Sequence, residues 1–387
     1  MKKKFFALFT AMTLAVGLTA CGGGGTDAPA DEGGAAGYTL GTIGPLTGEN
    51  AIYGQAVANG AQIAVDEINA LGGVQFTLRS EDDAADPESA VNAYHNLLDN
   101  GMQVLVSPTT TGSSVEVASH ANTDRVFILT PSASSPDVTA GKDNVFQVCF
   151  TDPALGQLSA DYMAENYPDA TLGILYRSDD PYSQGVRDAF VAEYKALGFT
   201  PAYEGTFTKD TSTNFEVQLT GARSAGVDLL FIPIYVQPAS VIMNQANAMG
   251  YNPTYFGVDG LDGLLALPNF DTSLAEGAVL MTPFSANSTD ERTTAFVSAY
   301  KEQFGEEPNQ FAADAYDGVY IVKAALEKAG CTPDQSHEEI CEALSAVMQE
   351  LTVDGLTGKG LTWNENGAVS KAPLVMMIQN GAYVPVQ

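Results

Sequence analysis

An α/β fold built from two doubly wound, mainly parallel sheets is predicted by three observations. Short apolar segments alternate with amphipathic ones along most of the chain. The 387 residues exceed what one hydrophobic core usually organises. Polar loops rich in Gly, Ser, Thr and Asp follow the apolar segments, where the ligand loops of such sheets lie.

The N-terminal end stands apart from this pattern. Lys2, Lys3 and Lys4 precede an apolar run from Phe5 to Leu18, the layout of an export signal, and the run is too short to remain as a membrane span. Leu18-Thr19-Ala20-Cys21 resembles a bacterial lipobox, which implies residues 1–20 as a cleaved signal and Cys21 as a lipidated first residue. Residues 21–37, with four consecutive glycines and no aliphatic anchor, read as a flexible tether. The fold is expected to begin at Tyr38.

Tyr38 to Ile43 has strand character, and Val57, Ala61, Ala64, Val65 and Ile68 then recur at helical spacing up to Gly72-Gly73. Val74, Phe76 and Leu78 alternate as a strand does. Asp86-Pro87-Glu88 combines a capping acceptor, a first-turn proline and a charge favourable to the helix dipole, ahead of a buried stripe of Ala90, Ala93, Tyr94 and Leu97. Strands follow at Val104 to Val106, Val126 to Thr130, Leu172 to Tyr176, Leu229 to Tyr235 and Tyr255 to Val258, with helices between them. Strand-helix alternation of this kind makes parallel sheets covered on both faces.

The formal charge of -30 argues against nucleic acid, because phosphate binding needs the Lys and Arg clusters that are missing here. His95, His120 and His337 have no paired spacing for a metal, and no serine elbow, dinucleotide fingerprint or phosphate loop occurs. No metal, cofactor or enzymatic activity is expected. Cys331 and Cys341 bracket a short polar stretch, and export permits a local disulfide between them. Cys149, inside an apolar run, reads as a buried small hydrophobe.

Two neighbouring loops concentrate hydroxyls. Residues 107–114 (SPTTTGSS) run directly into a helix, so free amides and hydroxyl donors converge in a neutral cradle suited to a carboxylate. A single capping residue accounts for one hydroxyl there, not for six. Residues 130–136 (TPSASSP) repeat the chemistry between two stiffening prolines. In the second half Tyr182 and Asp259 follow strands and Tyr235 closes one, and an acid flanked by aromatic faces suits an ammonium group.

At this point the chain resembles the leucine/isoleucine/valine-binding family of type I periplasmic binding proteins. The residues that carry the likeness are IGPLTG at 43–48 with Tyr53-Gly54, GAQIAVDEINALGGV, EDDAADPESAV, LTPSASSP, AADAYDGV and LTWNENGAV, in order along the chain. The resemblance implies two lobes, 38–151 with 283–355 and 152–282 with 356–387, joined by crossings near Thr151, Thr282 and Gly355. It implies that Thr111 and Ser134 serve a ligand carboxylate, while the Ser132 carbonyl and Asp259 serve its ammonium. Tyr182 and Tyr235 would close from the second lobe, and Tyr53 and Thr110 would line the side-chain pocket. Asp314 and Asp317 are weaker candidates near the hinge.

By the same resemblance the protein is an extracytoplasmic, lipid-anchored, monomeric receptor for an amino-acid-like molecule, served by an ABC permease and its ATPases. Two departures widen the ligand class. The family often has Glu where Asp259 stands, and Thr109-Thr110-Thr111 is more polar than an aliphatic side chain favours. A sensor for an amide or small carboxylic acid would use the same clamp, since fold does not determine use.

Overall fold

The computed structural model describes residues 37–386. The expected export signal, Cys21 and most of the tether lie outside the described residues. The chain opens with β1 (Tyr38–Gly44), α1 (Ala51–Leu71), β2 (Phe76–Asp82), α2 (Pro87–Asp99), β3 (Val104–Leu105), α3 (Thr111–Asp124), β4 (Phe127–Thr130) and β5 (Val145–Gln147). It continues through α4 (Asp152–Asn166), β6 (Leu172–Arg177), α5 (Pro181–Ala196), β7 (Tyr203–Phe207), α6 (Glu216–Ser224), β8 (Leu229–Phe231), α7 (Val236–Ala248), β9 (Thr254–Gly257) and β10 (Val279–Thr282). The last elements are α8 (Glu291–Phe304), α9 (Gln310–Ala329), α10 (His337–Met348), β11 (Leu374–Gln379) and β12 (Ala382–Pro385).

Two sheets result. The first has the order β2-β1-β3-β4-β5 and is parallel throughout. The second has the order β12-β11-β10-β9-β8-β6-β7 and is mixed, because β11 pairs antiparallel with both β10 and β12. Alternate strand residues enter different cores. Phe127 and Leu129 of β4 face one cluster and Ile128 the other, while Leu229 and Phe231 of β8 face away from Leu230. Both sheet faces are thus buried, as the apolar strands require. Long α1 packs on α9 so closely that a Cβ at Gly60 would stand 2.0 Å from the Ala312 carbonyl oxygen. Only glycine permits that approach.

The Asp86 cap forms as expected, with Oδ1 accepting from the Ser89 amide at 2.9 Å. Other boundaries move. Helix α3 starts at Thr111 rather than near Ser114, and β8 stops at Phe231. Residues 232–234 form a turn, and Tyr235 becomes the N-cap of α7 instead of the end of a strand.

The places where the chain passes between the two sheets differ from expectation at one point. The first passage falls at Thr151, whose hydroxyl accepts from the Ala154 amide, and the second follows Thr282 at the end of β10. The third is later than Gly355. Trp363 Nε1 donates to the Gln147 carbonyl at 2.9 Å, and the Gln147 amide donates to the Gly367 carbonyl at 2.9 Å. The chain therefore stays on the first sheet's β5 edge until about Ser370. The Lys371 ammonium then pairs with Asp314 of α9, the side chains 0% and 3% exposed, and lies 5.9 Å from the Phe150 ring of the first passage.

The anticipated Cys331–Cys341 disulfide is absent, and all three described cysteines are free thiols. Cys341 lies on the buried side of α10 with Ile340, Leu344 and Met348. Cys331 follows the left-handed C-cap Gly330 and is only half-buried. The thiol of Cys341 is used as core rather than as a cross-link.

Candidate functional site

In each sheet the loops that leave adjacent parallel strands converge. β1, β3 and β4 are neighbours in the first sheet, and β6, β8 and β9 in the second. The strand order reverses beside β1 and β3, and again beside β6 and β8, which opens a crevice at the strand ends.

Much of the first hydroxyl loop is engaged in holding itself. Ser107 Oγ accepts from the Ile43 amide, Thr109 Oγ1 donates to the Ile43 carbonyl, and Ser114 Oγ donates to the Pro108 carbonyl. Thr110 reaches Ser113 at 3.2 Å. Thr111, at the first turn of α3, makes no side-chain hydrogen bond within the described residues and lines the crevice. In the second loop Thr130 Oγ1 donates to the Pro108 carbonyl and accepts from the Ala133 amide, and Ser132 Oγ donates to the Thr109 carbonyl at 2.6 Å. The two loops are therefore tied into one platform. Ser134 Oγ is buried without a partner, beside Asp152.

The opposing lobe presents Asp259, directly after β9 and 5% exposed. Tyr182 Oη donates to Asp259 Oδ1 at 2.7 Å and accepts from the Gly260 amide at 3.0 Å. Burial pushes the Asp259 carboxyl up to about 6, against the opposing pull of those hydrogen bonds. A Cβ at position 260 would meet the Tyr182 hydroxyl at 2.5 Å, so glycine is what allows tyrosine to reach the acid.

Tyr53, on α1, spans the crevice. Its hydroxyl donates to the Gly260 carbonyl at 2.7 Å and accepts from the Val236 amide at 2.8 Å. Tyr235 stacks on Tyr182 with ring centres 5.1 Å apart and leans on Tyr53 at 5.2 Å. Between these groups lies a cavity of about 10 Å³ lined by Tyr53, Thr110, Thr111, Ser132, Tyr182, Tyr235 and Asp259, together with Thr109, Gly260 and Phe311. The facing side chains nearly fill the crevice, leaving room for about one water molecule.

Seven of the eight expected ligand residues thus line one cavity. Ser134 is outside it, behind the platform. Phe311, whose ring is 4.6 Å from Tyr53, was not anticipated. It is the residue before the AADAYDGV segment, at the second position of α9, and no local sequence feature marked it as a cavity residue. Asp314 and Asp317 are not in the lining. Asp314 holds Lys371, and Asp317 accepts from the Leu356 and Thr357 amides and the Thr357 hydroxyl, at 2.8, 2.9 and 2.6 Å. Among the described residues no group of three or more His, Cys, Asp or Glu could hold a metal.

Two α/β lobes, three connecting segments and a crevice that presents hydroxyls on one side and a carboxylate on the other define a solute-binding clamp. The chain belongs to the periplasmic binding protein family, whose profile matches residues 37–382. It is 32% identical over 301 residues to the Leu/Ile/Val-binding protein BraC3 of Rhizobium johnstonii, covering 76% of this chain and 80% of that one. The branched-chain amino acid transporter substrate-binding protein LivJ of Streptococcus pneumoniae, solved with isoleucine, superposes with a TM-score of 0.79 at 27% identity. That match covers 90% of this chain and 100% of the other. A solute-binding protein of R. palustris, in complex with benzoate, has a TM-score of 0.80 at 17% identity over 91% and 96% of the two chains, which shows the shared fold. Family membership makes the protein a solute-binding protein rather than an enzyme and places it outside the cytoplasm.

Proposed function

We propose that the protein is the receptor of an ABC importer for an amino acid of the branched-chain or a related class. The observation that carries this reading is Asp259, a carboxylate buried in the crevice opposite the Thr110–Thr111 platform with no cation beside it among the described residues. A ligand with an ammonium and a carboxylate satisfies both lobes. The ammonium meets Asp259 and the Ser132 carbonyl, and the carboxylate meets the Thr111 hydroxyl and the amides that begin α3. Ser134 joins that set if the platform shifts as ligand enters.

An amino acid needs far more than 10 Å³, so binding begins from an open form in which Tyr53 leaves Gly260 and Tyr235 leaves Tyr53. Reclosure on the ligand is favoured because only the closed form offers contacts from both lobes. A permease then recognises the closed form, and Cys21 holds the receptor to the membrane by its lipid. The protein acts as a monomer.

Calorimetry with leucine, its deaminated analogue 4-methylpentanoate and benzoate tests the reading. Leucine is expected to bind and the two carboxylates, which leave Asp259 buried without a partner, to bind at least 100-fold more weakly, or about 2.7 kcal/mol. Tighter binding of benzoate than of any amino acid would reject it.

A further inference from the structure

A second cavity, of about 530 Å³, lies between the same two lobes beyond Tyr53. Ile52 and Gln55 on α1 and Asn309 before α9 bound it from one lobe, and Asp262 and Leu265 from the other. Phe284 and Ala286, just after the second hinge passage, close one end. The hydrogen bond from Tyr53 Oη to the Gly260 carbonyl, together with Phe311, separates it from the smaller cavity.

Its chemistry is one-sided. No Lys, Arg or His lines it. Asp262 is 5% exposed, with Oδ2 accepting from the Gln310 amide at 2.8 Å, and it is the acid at the floor. Exposed Glu49 and Glu306 stand at the rim, and Glu307 is paired with Lys301. Aliphatic and aromatic side chains make up much of the remaining wall. We propose that this chamber is a second binding site, for a small organic cation in which an ammonium or guanidinium on an apolar stem donates to Asp262.

Each part of the lining asks for part of that ligand. The buried acid calls for an N–H donor, and the apolar wall calls for a methylene stem. The formal charge of -30 draws cations to the molecule. Because both lobes contribute, an occupant stabilises the closed form, and linkage then requires it to strengthen binding at the first cavity by the same factor.

Agmatine is the probe, applied to the whole protein at pH 8 by thermal shift and calorimetry, alone and with leucine. A rise in the unfolding midpoint with agmatine alone, and tighter leucine binding in its presence, are expected. Asp262→Asn should weaken agmatine at least tenfold while leucine affinity stays within threefold. If that variant folds poorly, Ala286→Phe, which narrows the chamber and leaves the acid intact, should do the same. No shift with agmatine, equal binding by the variants, or mutual displacement of agmatine and leucine would overturn the proposal. A failure of leucine to bind would sink the amino-acid reading alone, since the agmatine shift is read without it.

Discussion

Burial raises the Asp259 carboxyl to about 6, and an ammonium ligand needs it ionised. The affinity for leucine is therefore expected to be flat from pH 8 to about 6.5 and to fall roughly tenfold per pH unit below about 6, as the carboxyl takes up a proton before the ligand can. Calorimetry between pH 5 and 8 reads this directly. Asp259→Asn keeps the shape and removes the charge, so its leucine affinity should be about 100-fold or more below the wild type at pH 7.5 and indifferent to pH. A variant that binds normally would show that the ammonium lies elsewhere. Tyr182, not Asp259 alone, sets the geometry here, because its hydroxyl bonds both the acid and the Gly260 amide.

At the scale of elements, α9 does two jobs through two acids on one helix. Asp314 anchors the third hinge passage through Lys371, and Asp317 organises the turn at 355–357 through three hydrogen bonds. Asp317→Ala leaves the Thr357 amide and hydroxyl buried without an acceptor, which should cost about 2–4 kcal/mol of stability. Urea denaturation measures that loss. Leucine affinity of the folded fraction should be unchanged, because Asp317 is remote from the lining; a lost affinity would return it to the ligand site.

For the whole molecule, buried acids shape how stability follows pH. The carboxyls of Asp180 and Asp259 are pushed up to about 6 and that of Asp262 to about 7, chiefly by burial. The native state therefore binds more protons than the unfolded chain between about pH 4 and 7. Stability from these groups is present at the low end of that window and is lost as pH rises through it. The ligand-free protein should melt at a higher temperature at pH 5 than at pH 7.5, as a pH series of thermal melts would show, with self-repulsion of the acidic surface acting in the same direction. A midpoint that rises with pH would mean that these three carboxyls are not held buried in the folded protein.

The local content of the sequence was enough for the α/β alternation, the Asp86 cap, the hydroxyl loops and the acid after β9, because periodicity, capping chemistry and strand-end position are properties of neighbouring residues. Six cavity residues were legible for that reason, and the family resemblance added Tyr53 and assigned the roles. Tertiary structure alone decided that Ser134 lies behind the platform, that Phe311 enters the lining, that Asp314 pairs with Lys371 while Asp317 holds the turn at 355–357, and that Cys331 and Cys341 remain apart. It also moved the third passage beyond Ser370, since the edge of β5 captures Trp363 and Gly367 across more than two hundred residues of sequence. Each of these depends on which distant segment packs beside a side chain, and spacing along the chain carries no record of that.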